Sequence, residues 1–337
     1  MAKKRLLSGI RPTGSLHIGH YLGVLRNWKK LQNEHECFYF IADWHTLTTK
    51  YKDTHELNQN TIEVAKDILA SDIDPNKCTL YVQSAIPEVA ELHLLLSMVT
   101  FQNWVERDPT LKEMVRLLAE DEEKAKEEIT YGLLGYPVLQ TADILSVLGE
   151  SVPVGKDQVA HLEMSRDIAR RFNHIYKTDL FPEPQHLLTE TPSVPGVDGR
   201  KMSKSYGNDI KMEDSPEETL KKVKQMITDP ARMKKTDPGN VENCQVAYKH
   251  YEIFADKNTL ETVKKECHSA AIGCMDCKTR LANIMNDYFK SIREKRQSLK
   301  NEKEILEILD IGNKRARKTV KETLHKVRDV MKLKNWD

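Results

Sequence analysis

The 337-residue chain carries 52 Lys+Arg against 51 Asp+Glu, a net charge of +1, and 31% of its residues are charged. This length predicts two or three domains with a real hydrophobic core, and the balanced charge excludes a uniformly basic coat for nucleic acid. No run approaches the ~20 apolar residues of a membrane span, and Leu6-Leu7 is too short for a signal-peptide core. We expect a soluble, cytoplasmic protein that spans no membrane.

Strands and helices are predicted to alternate through the N-terminal part of the chain. Apolar runs indicate strands at Arg5–Ile10, 37–42 and Cys78–Val82, and apolar residues at helical spacing indicate helices at 20–34 and 56–70. The run at 37–42 is continuously apolar, as in a strand covered on both faces. This alternation predicts βαβ units and a parallel sheet.

The rest of the chain is predicted to be mainly helical. Residues 87–149 form a helical stretch, 151–155 return to the sheet, and 157–172 form another helix. The last stretch, 278–337, has 17 Lys+Arg and 9 Asp+Glu, a net charge of +8. This surplus points to a polyanionic partner for the C-terminal helices, with a solvated basic face as the alternative.

Two histidines mark the predicted turn between the first strand and the first helix, in Leu16-His-Ile-Gly-His20. Free amides and the dipole at such a turn attract phosphate, and two imidazoles three residues apart lie on one side of the helix. Gly19 would let a flat purine ring approach the backbone. Two structural histidines would give the same pattern, so this motif is weak by itself.

A second segment, Lys201-Met-Ser-Lys-Ser205, is flanked by Gly199 and Gly207. Two ammonium groups on a glycine-flanked loop suit a lid that closes on a polyphosphate leaving group. An exposed basic loop is the alternative interpretation.

Together the two segments resemble the paired HIGH and KMSKS motifs of class I aminoacyl-tRNA synthetases. The surrounding sequence is similar to the tryptophanyl-tRNA synthetases in Ser8-Gly-Ile-Arg-Pro-Thr-Gly14, Gly135-Tyr-Pro-Val-Leu-Gln-Thr-Ala-Asp-Ile-Leu145, Val152-Pro-Val-Gly-Lys-Asp-Gln158, His161-Leu-Glu-Met-Ser-Arg-Asp167 and Asp198-Gly-Arg-Lys-Met-Ser-Lys-Ser205. This resemblance implies an α/β fold: a Rossmann-like catalytic domain at 1–210 with a helical insertion at about 87–150, followed by an all-helical anticodon-binding domain at 211–337.

The resemblance also implies an activity. Tryptophan would be joined to tRNA(Trp) through a tryptophanyl-adenylate, with ATP and Mg²⁺, by a homodimer. The implied catalytic residues are His17, His20, Lys201 and Lys204. The implied ATP-binding residues are Arg11, Pro12, Thr13, Gly19, His20, Gly155, Lys156, Asp157, Lys201, Met202, Ser203, Lys204 and Ser205.

Tyr136, Gln140 and Asp143 are spaced to share one face of a predicted helix. A carboxylate in this apolar stretch is expensive to bury unless it is paired or accepts a hydrogen bond. The resemblance implies that Asp143 accepts the indole N–H of tryptophan and that Tyr136 and Gln158 hold its α-amino end. Some relatives have Met in place of Gln140, and Gln in place of Arg11. The alternative is that Asp143 faces solvent or pairs with an arginine.

Four of the six cysteines, Cys244, Cys267, Cys274 and Cys277, have the spacing C-x22-C-x6-C-x2-C. Four thiolates of this kind bind zinc or an iron–sulfur cubane, and spacing alone slightly favours zinc. The spacing resembles a subgroup of tryptophanyl-tRNA synthetases with a [4Fe-4S] cluster, so we expect that cluster, with Zn²⁺ or unligated cysteines as alternatives. Two other functions also stay open: a tyrosyl-tRNA synthetase, and a catalytically silent RNA-binding relative.

Overall fold

The computed structural model describes residues 3–108, 129–155, 159–188 and 193–336, with the backbone alone at 159–161. Its centre is a five-stranded sheet of order β3-β2-β1-β4-β5 in which all paired strands are parallel. The predicted parallel α/β sheet is therefore confirmed. The strands are β1 (Arg5–Ile10), β2 (Glu36–Ile41), β3 (Cys78–Val82), β4 (Ser151–Val154) and β5 (Gln185–Leu188).

The helices cover both faces of this sheet and make up most of the C-terminal part. They are α1 (Ile18–His20), α2 (Arg26–Leu31), α3 (Asp43–Lys50), α4 (Leu57–Ala70), α5 (Glu88–Ser97), α6 (Gln102–Glu106), α7 (Tyr131–Leu134), α8 (Tyr136–Ser146), α9 (Val159–Tyr176), α10 (Pro216–Gln225), α11 (Ala247–Phe254), α12 (Lys257–His268), α13 (Cys274–Ser298) and α14 (Glu302–Val330). A π-helical segment, Tyr21–Leu25, joins α1 to α2.

Side chains from the strands alternate between two hydrophobic clusters, one on each face of the sheet. Along β2, Cys37 and Tyr39 belong to one cluster, whereas Phe38 and Phe40 belong to the other. All four are at most 5% exposed. This explains why the run reads as continuously apolar: a strand covered on both faces has no position for a polar side chain.

The sheet changes winding direction between β1 and β4. From β1 the chain proceeds to β2 and β3 on one side, and β4 and β5 lie on the other. In open parallel sheets a ligand crevice forms at such a switch point, beyond the carboxyl ends of the strands. Here the turn at 11–14 follows β1 and Gly155 follows β4.

The C-terminal helix α14 packs against β3, which within the described residues is an outer strand of the sheet. A Cβ on Gly312 would lie 1.6 Å from the Leu80 carbonyl oxygen, so helix and strand backbones are in direct contact. The Val82 amide donates to Asn313 Oδ1 at 2.9 Å. Leu309 joins one core cluster and Val320 the other, so α14 crosses the sheet edge and contributes to both.

Candidate active site

The turn that carries the two predicted catalytic histidines lies directly beyond β1. The His17 and His20 rings are 3.8 Å apart. His17 Nδ1 accepts from the His20 amide and His20 Nδ1 accepts from the His17 amide, at 3.3 and 3.4 Å. An imidazole nitrogen that accepts carries no proton, so each ring has its proton on Nε2 when neutral. The turn therefore presents two Nε2–H donors.

Backbone amides at this turn were predicted to be free for phosphate, and several are not. The Leu16 amide donates to Asp67 Oδ2 at 2.7 Å, and the Ile18 amide donates to the Ile210 carbonyl at 2.9 Å. The His20 amide is bonded to His17. These amides are already paired, so the donors that the turn offers to a ligand are mainly the two histidine side chains. Gly19 is needed because a Cβ there would lie 2.9 Å from the His17 ring.

The segment containing Lys204 contacts the turn after β1, although 190 residues separate the two in sequence. Lys204 Nζ donates to the Gly14 carbonyl at 2.5 Å and lies 3.5 Å from Thr13 Oγ1. Gly14 has φ +106°, a conformation that favours glycine. Met202 is buried, and its sulfur would be 3.9 Å from a Cβ on Gly19. The fold thus brings together the two motifs predicted to act jointly.

The rest of this loop is held by Asn208. Its Oδ1 accepts from the Ser203 amide at 2.9 Å, and its Nδ2 donates to Asp198 Oδ1 at 2.7 Å. Lys201 and Ser205 are exposed, so Lys201 is not held at the turn as Lys204 is. Whether Lys201 approaches a bound nucleotide stays a prediction.

Burial changes the charge state of the basic groups in this site. Burial lowers the pKa of His17 to about 4 and holds the pKa of His20 well below its usual range, with Lys204 adding to both effects. Burial also lowers the pKa of Lys204 to about 8, against the opposing fields of Asp67 and Asp209. Near pH 7 the imidazoles are therefore neutral donors, and Lys204 is the cation.

Arg11, Pro12 and Thr13 form the predicted nucleotide turn. Pro12 is buried and Thr13 is half-buried. Arg11 Nη2 donates to Thr49 Oγ1 at 2.5 Å. Arg11 Nε is buried and has no hydrogen-bond partner among the described residues. A buried guanidinium N–H without a partner is costly, and an anionic ligand would supply the acceptor.

Asp143 lies inside the predicted amino-acid pocket and is 1% exposed. Gln83 Nε2 donates to both carboxylate oxygens at 2.9 Å, and His45 Nε2 donates to Oδ2 at 2.8 Å. Asp143 does not face solvent, and among the described residues its carboxylate is bonded to Gln83 and His45 and not to an arginine. A carboxylate offers about four lone-pair sites, so room remains for one more donor.

His45 and Gln83 are functional candidates that the sequence did not suggest. Both are at most 5% exposed, and His45 Nδ1 has no partner among the described residues. No motif marked either residue. The buried Asp143 gave the only available signal, since it required donors from elsewhere.

The other predicted pocket residues are placed only in part. Tyr136 stands edge-on to His45, with ring centroids 5.1 Å apart, and burial raises its pKa to about 12. Gln140 is half-buried on the same helix, α8. Gly155 follows β4 at the switch point. Lys156, Asp157 and Gln158 lie outside the described residues.

The four predicted metal ligands, Cys244, Cys267, Cys274 and Cys277, line one pocket with about 30 Å³ of free space. A Cβ on Gly239 would lie 2.6 Å from Cys267 Sγ, so a glycine is needed beside the pocket. Arg232 Nη1 is 3.9 Å from Cys274 Sγ. Within the described part of the chain, however, no three His, Cys, Asp or Glu side chains are close enough to bind one metal ion. The cysteines converge without forming a finished coordination site.

Comparison with known proteins identifies the family. The sequence profile described as "tRNA synthetases class I (W and Y)" matches residues 2–290. The chain belongs to this family. The synthetase is 46% identical to the tryptophan–tRNA ligase of Thermotoga maritima, covering 98% of this chain and 99% of that one. It is 43% identical to that of Aquifex aeolicus, covering 98% and 100%.

Solved structures agree with this assignment. The tryptophanyl-tRNA synthetase of Campylobacter jejuni, solved with ADP and tryptophan, is 34% identical with a TM-score of 0.86, covering 98% of this synthetase and 100% of that chain. A tyrosyl-tRNA synthetase of Archaeoglobus fulgidus, at 20% identity and a TM-score of 0.64, shares the fold. The predictions of a class I synthetase and of a tryptophan–tRNA ligase are therefore confirmed. No helix of the described residues is long and apolar enough to span a membrane.

Proposed function

We propose that this synthetase activates L-tryptophan with ATP and transfers it to tRNA(Trp), releasing AMP and pyrophosphate. One observation carries the assignment of the residues: Lys204 lies on the Gly14 carbonyl beside the His17 turn, at the switch point of the sheet. Two signature segments distant in sequence are therefore in contact, which supports a single site formed by both. Full-length relatives with the same activity support the choice of substrate.

In the first step the tryptophan carboxylate oxygen attacks the α-phosphorus of ATP. A new P–O bond forms as the bond to pyrophosphate breaks, so the products are tryptophanyl-adenylate and pyrophosphate. Positioning and charge stabilisation provide most of such catalysis. His17 and His20 donate from Nε2–H to phosphate oxygens, and Lys204 leaves Gly14 to contact the departing pyrophosphate. Lys201, exposed in the resting loop, would close with it. Mg²⁺ would reach the site bound to the ATP phosphates.

In the second step a ribose hydroxyl of the tRNA attacks the activated carbonyl, and AMP leaves. The substrate would be held at α8: Asp143 accepts the indole N–H and Tyr136 holds the α-amino end, with Gln140 on the same helix. Gln158, expected to share the role of Tyr136, lies outside the described residues. His45 and Gln83 fix the orientation of the Asp143 carboxylate, because each donates to it. A site built to accept an N–H discriminates against a substrate that lacks it. The indole of tryptophan carries this N–H. The phenol of tyrosine has no N–H, and it differs from indole in shape and length.

The C-terminal helices would contact the tRNA, but with fewer charges than the sequence suggested. Arg317 pairs with Glu88, Arg328 with Glu91, and Lys295 with Asp72. These basic side chains attach the helices to the α/β part and are not free for phosphate. The exposed lysines left for the tRNA backbone include Lys290, Lys300, Lys318 and Lys326.

The cysteine pocket would hold a [4Fe-4S] cluster. Four thiols, with Arg232 beside them and Lys278 in the lining, suit a thiolate-ligated anionic group. The free space of about 30 Å³ fits a single ion more closely than a cubane, so the cluster requires the cysteine side chains to move apart. The group would hold α11, α12 and the start of α13 together, away from the adenylate-forming site.

Metal analysis decides between the cluster and zinc. Protein made and purified without oxygen should be brown with about four irons per chain. Cys274→Ser should lose the iron, tryptophan activation should largely survive, and tRNA charging should fall. Cys78→Ala, a buried cysteine outside the pocket, should keep the metal. One zinc and no iron per chain would show a structural zinc site instead of the cluster. No metal at all would show that the four cysteines are free thiols.

A homodimer is part of the proposal. Leu94, Met98 and Phe101 are about half exposed or more, at 54%, 67% and 47%, on and just after α5. Exposed apolar side chains within eight residues of one another are typical of protein interfaces. Sedimentation of the wild type and of Met98→Glu tests this: a dimer that becomes monomeric in the variant supports the interface, and a monomeric wild type refutes it.

ATP–pyrophosphate exchange with tryptophan and with tyrosine tests the proposed function directly. Exchange that depends on tryptophan, followed by charging of tRNA(Trp), is the expected result. Exchange with tyrosine alone would show a tyrosyl-tRNA synthetase, and tRNA binding without exchange would show a silent relative.

A further inference from the structure

Arg296, near the end of α13, contacts carboxylates from two other parts of the chain. Its Nε lies 2.6 Å from Asp67 Oδ1. Its Nη2 lies 2.5 Å from Glu63 Oε2 and 2.9 Å from Glu213 Oε2. Glu63 and Asp67 lie one turn apart on α4, and Glu213 follows the KMSKS segment. The Arg296 side chain is only 13% exposed. One guanidinium therefore joins α13, α4 and the segment 209–214.

Asp67 continues this connection to the histidine turn. It is fully buried, and its second oxygen accepts the Leu16 amide at 2.7 Å. The Leu16 carbonyl accepts from the Met212 amide at 2.9 Å. Leu16 directly precedes His17, so the backbone that sets the His17 ring is held from one side by Asp67 and from the other by the segment 209–214. Asp67 contacts Arg296 directly, and Met212 lies next to Glu213, which also contacts Arg296.

A second arginine of α13 supports the same segment. Arg293 Nε donates to the Met212 carbonyl at 3.3 Å, and its Nη2 donates to Thr219 Oγ1 at 2.8 Å. Arg293 and Arg296 are three residues apart and so lie on one face of the helix. This face of α13 thus contacts the Met212 carbonyl directly through Arg293, and it is linked to the Leu16 amide through Arg296 and Asp67.

Electrostatics adds a further link. Burial raises the pKa of Asp67 to about 6, and Arg296 opposes that rise, as does the Leu16 amide. Burial lowers the pKa of Lys204, and the negative charge of Asp67 is the strongest influence that raises it. Loss of the guanidinium would leave a buried carboxylate without its cation, and such a group takes up a proton or moves.

We propose that Arg296 is a positioning residue for tryptophan activation: through Asp67 and Glu213 it fixes the turn of His17 and His20 relative to the segment that follows Lys204. The inference rests on the proposed roles of those three residues. Arg296 itself touches neither signature side chain and acts through the backbone that carries them. Because the catalytic contacts form in the transition state, misplacing them should lower kcat more than it weakens tryptophan binding.

The test uses Arg296→Gln, Arg296→Lys and Asp67→Asn, with Lys295→Gln as the matched control. Lys295 is the neighbouring residue on α13 and pairs with Asp72 at the surface. In ATP–pyrophosphate exchange, Arg296→Gln should lower kcat at least tenfold while the Kd for tryptophan stays within twofold. Arg296→Lys should recover part of that loss, and Lys295→Gln should match the wild type. If Arg296→Gln does not fold, as judged by thermal unfolding, Asp67→Asn carries the same expectation.

A double variant separates positioning from a merely structural role. If Arg296 acts through the signature loops, Arg296→Gln should lower kcat by a smaller factor in a Lys204→Ala background than in the wild type. An equal fold-decrease in kcat in both backgrounds would overturn the proposal. A wild-type kcat in folded Arg296→Gln, or a loss of tryptophan affinity as large as the loss of kcat, would overturn it as well. Failure of the proposed function would look different: Lys204→Ala alone would then leave kcat unchanged.

Discussion

Replacing Asp143 by asparagine tests tryptophan recognition most directly. The carboxylate accepts two contacts from Gln83 and one from His45 and keeps one lone-pair site for the indole N–H. An asparagine at this position would offer one acceptor oxygen and would turn an NH₂ group towards another donor. The substitution keeps the shape of the side chain and removes its charge and half of its accepting capacity.

The expected cost follows from the hydrogen bond that is lost. A hydrogen bond to a charged group is worth about 1.5–3 kcal/mol, which corresponds to about 10- to 150-fold in kcat/KM at ~1.4 kcal/mol per tenfold. Asp143→Ala should cost at least as much, because Gln83 and His45 are then left as buried donors without an acceptor.

The assay is ATP–pyrophosphate exchange with tryptophan and with its benzothiophene analogue, in which sulfur replaces the indole N–H. Wild-type enzyme should prefer tryptophan, and Asp143→Asn should lose most of that preference. Ser146→Ala is the matched control, because Ser146 is buried one turn along α8 and donates only to the Asp143 carbonyl. Equal losses for tryptophan and the analogue would refute the indole contact and leave Asp143 a structural role.

Lys204→Ala should lower kcat of activation far more than it raises KM for tryptophan, measured by pyrophosphate exchange; a change confined to KM would contradict the leaving-group role. Because the pKa of Lys204 is about 8 and the cation is the active form, kcat/KM for ATP should fall as pH rises through about 8, and Lys204→Arg should move that fall to higher pH. Burial lowers the pKa of His250 to about 4, so between pH 6.5 and 4 the unfolded chain binds a proton that the native chain does not, and stability falls as pH falls. Urea unfolding at pH 7 and pH 4.5 should show a smaller drop for His250→Gln than for wild type, and an equal drop would disprove this contribution. Gly312→Ala should lower the thermal unfolding temperature, with a cost of about 1–3 kcal/mol in the free energy of unfolding for overpacking against Leu80. Gly132→Ala, in a helix where the new Cβ would meet Thr130 Oγ1 at an ordinary 3.9 Å, should be neutral or slightly stabilising.

The sequence predicted most of the central sheet because buried strands carry a strong signal. β1 and β3 have the predicted bounds, and β2 and β4 differ by one residue at their ends. The helix predicted at 20–34 occupies 18–31, as α1, the π-helical segment and α2. β5 was not predicted, because three of its four residues are exposed and nothing in its pattern marks a strand.

Helix α3 and the polar partners of the site were missed for a related reason. Asp43, His45, Thr46 and Thr48 are polar and buried, so α3 lacks the apolar stripe that identifies a helix. The motif residues could be predicted because their spacing is local. The contacts of Asp143 with His45 and Gln83 could not, since they join residues 98 and 60 positions apart. The pairing of Lys295, Arg317 and Arg328 could not be predicted for the same reason, since their acidic partners lie far away in sequence.

The packing of α14 on β3 has a consequence for the order in which the molecule is completed. Asn313 meets Val82 across 231 residues, so the ribosome finishes the strands long before it makes the helix that covers their outer edge. Until then the backbone groups of β3 are open to any strand that arrives, including one from another nascent chain. The N-terminal part therefore lacks one of its packing partners until α14 has left the ribosome. A truncation that removes α14 would take away a wall of the α/β core, so the catalytic part of this synthetase depends on a helix made some 220 residues after the strand it protects.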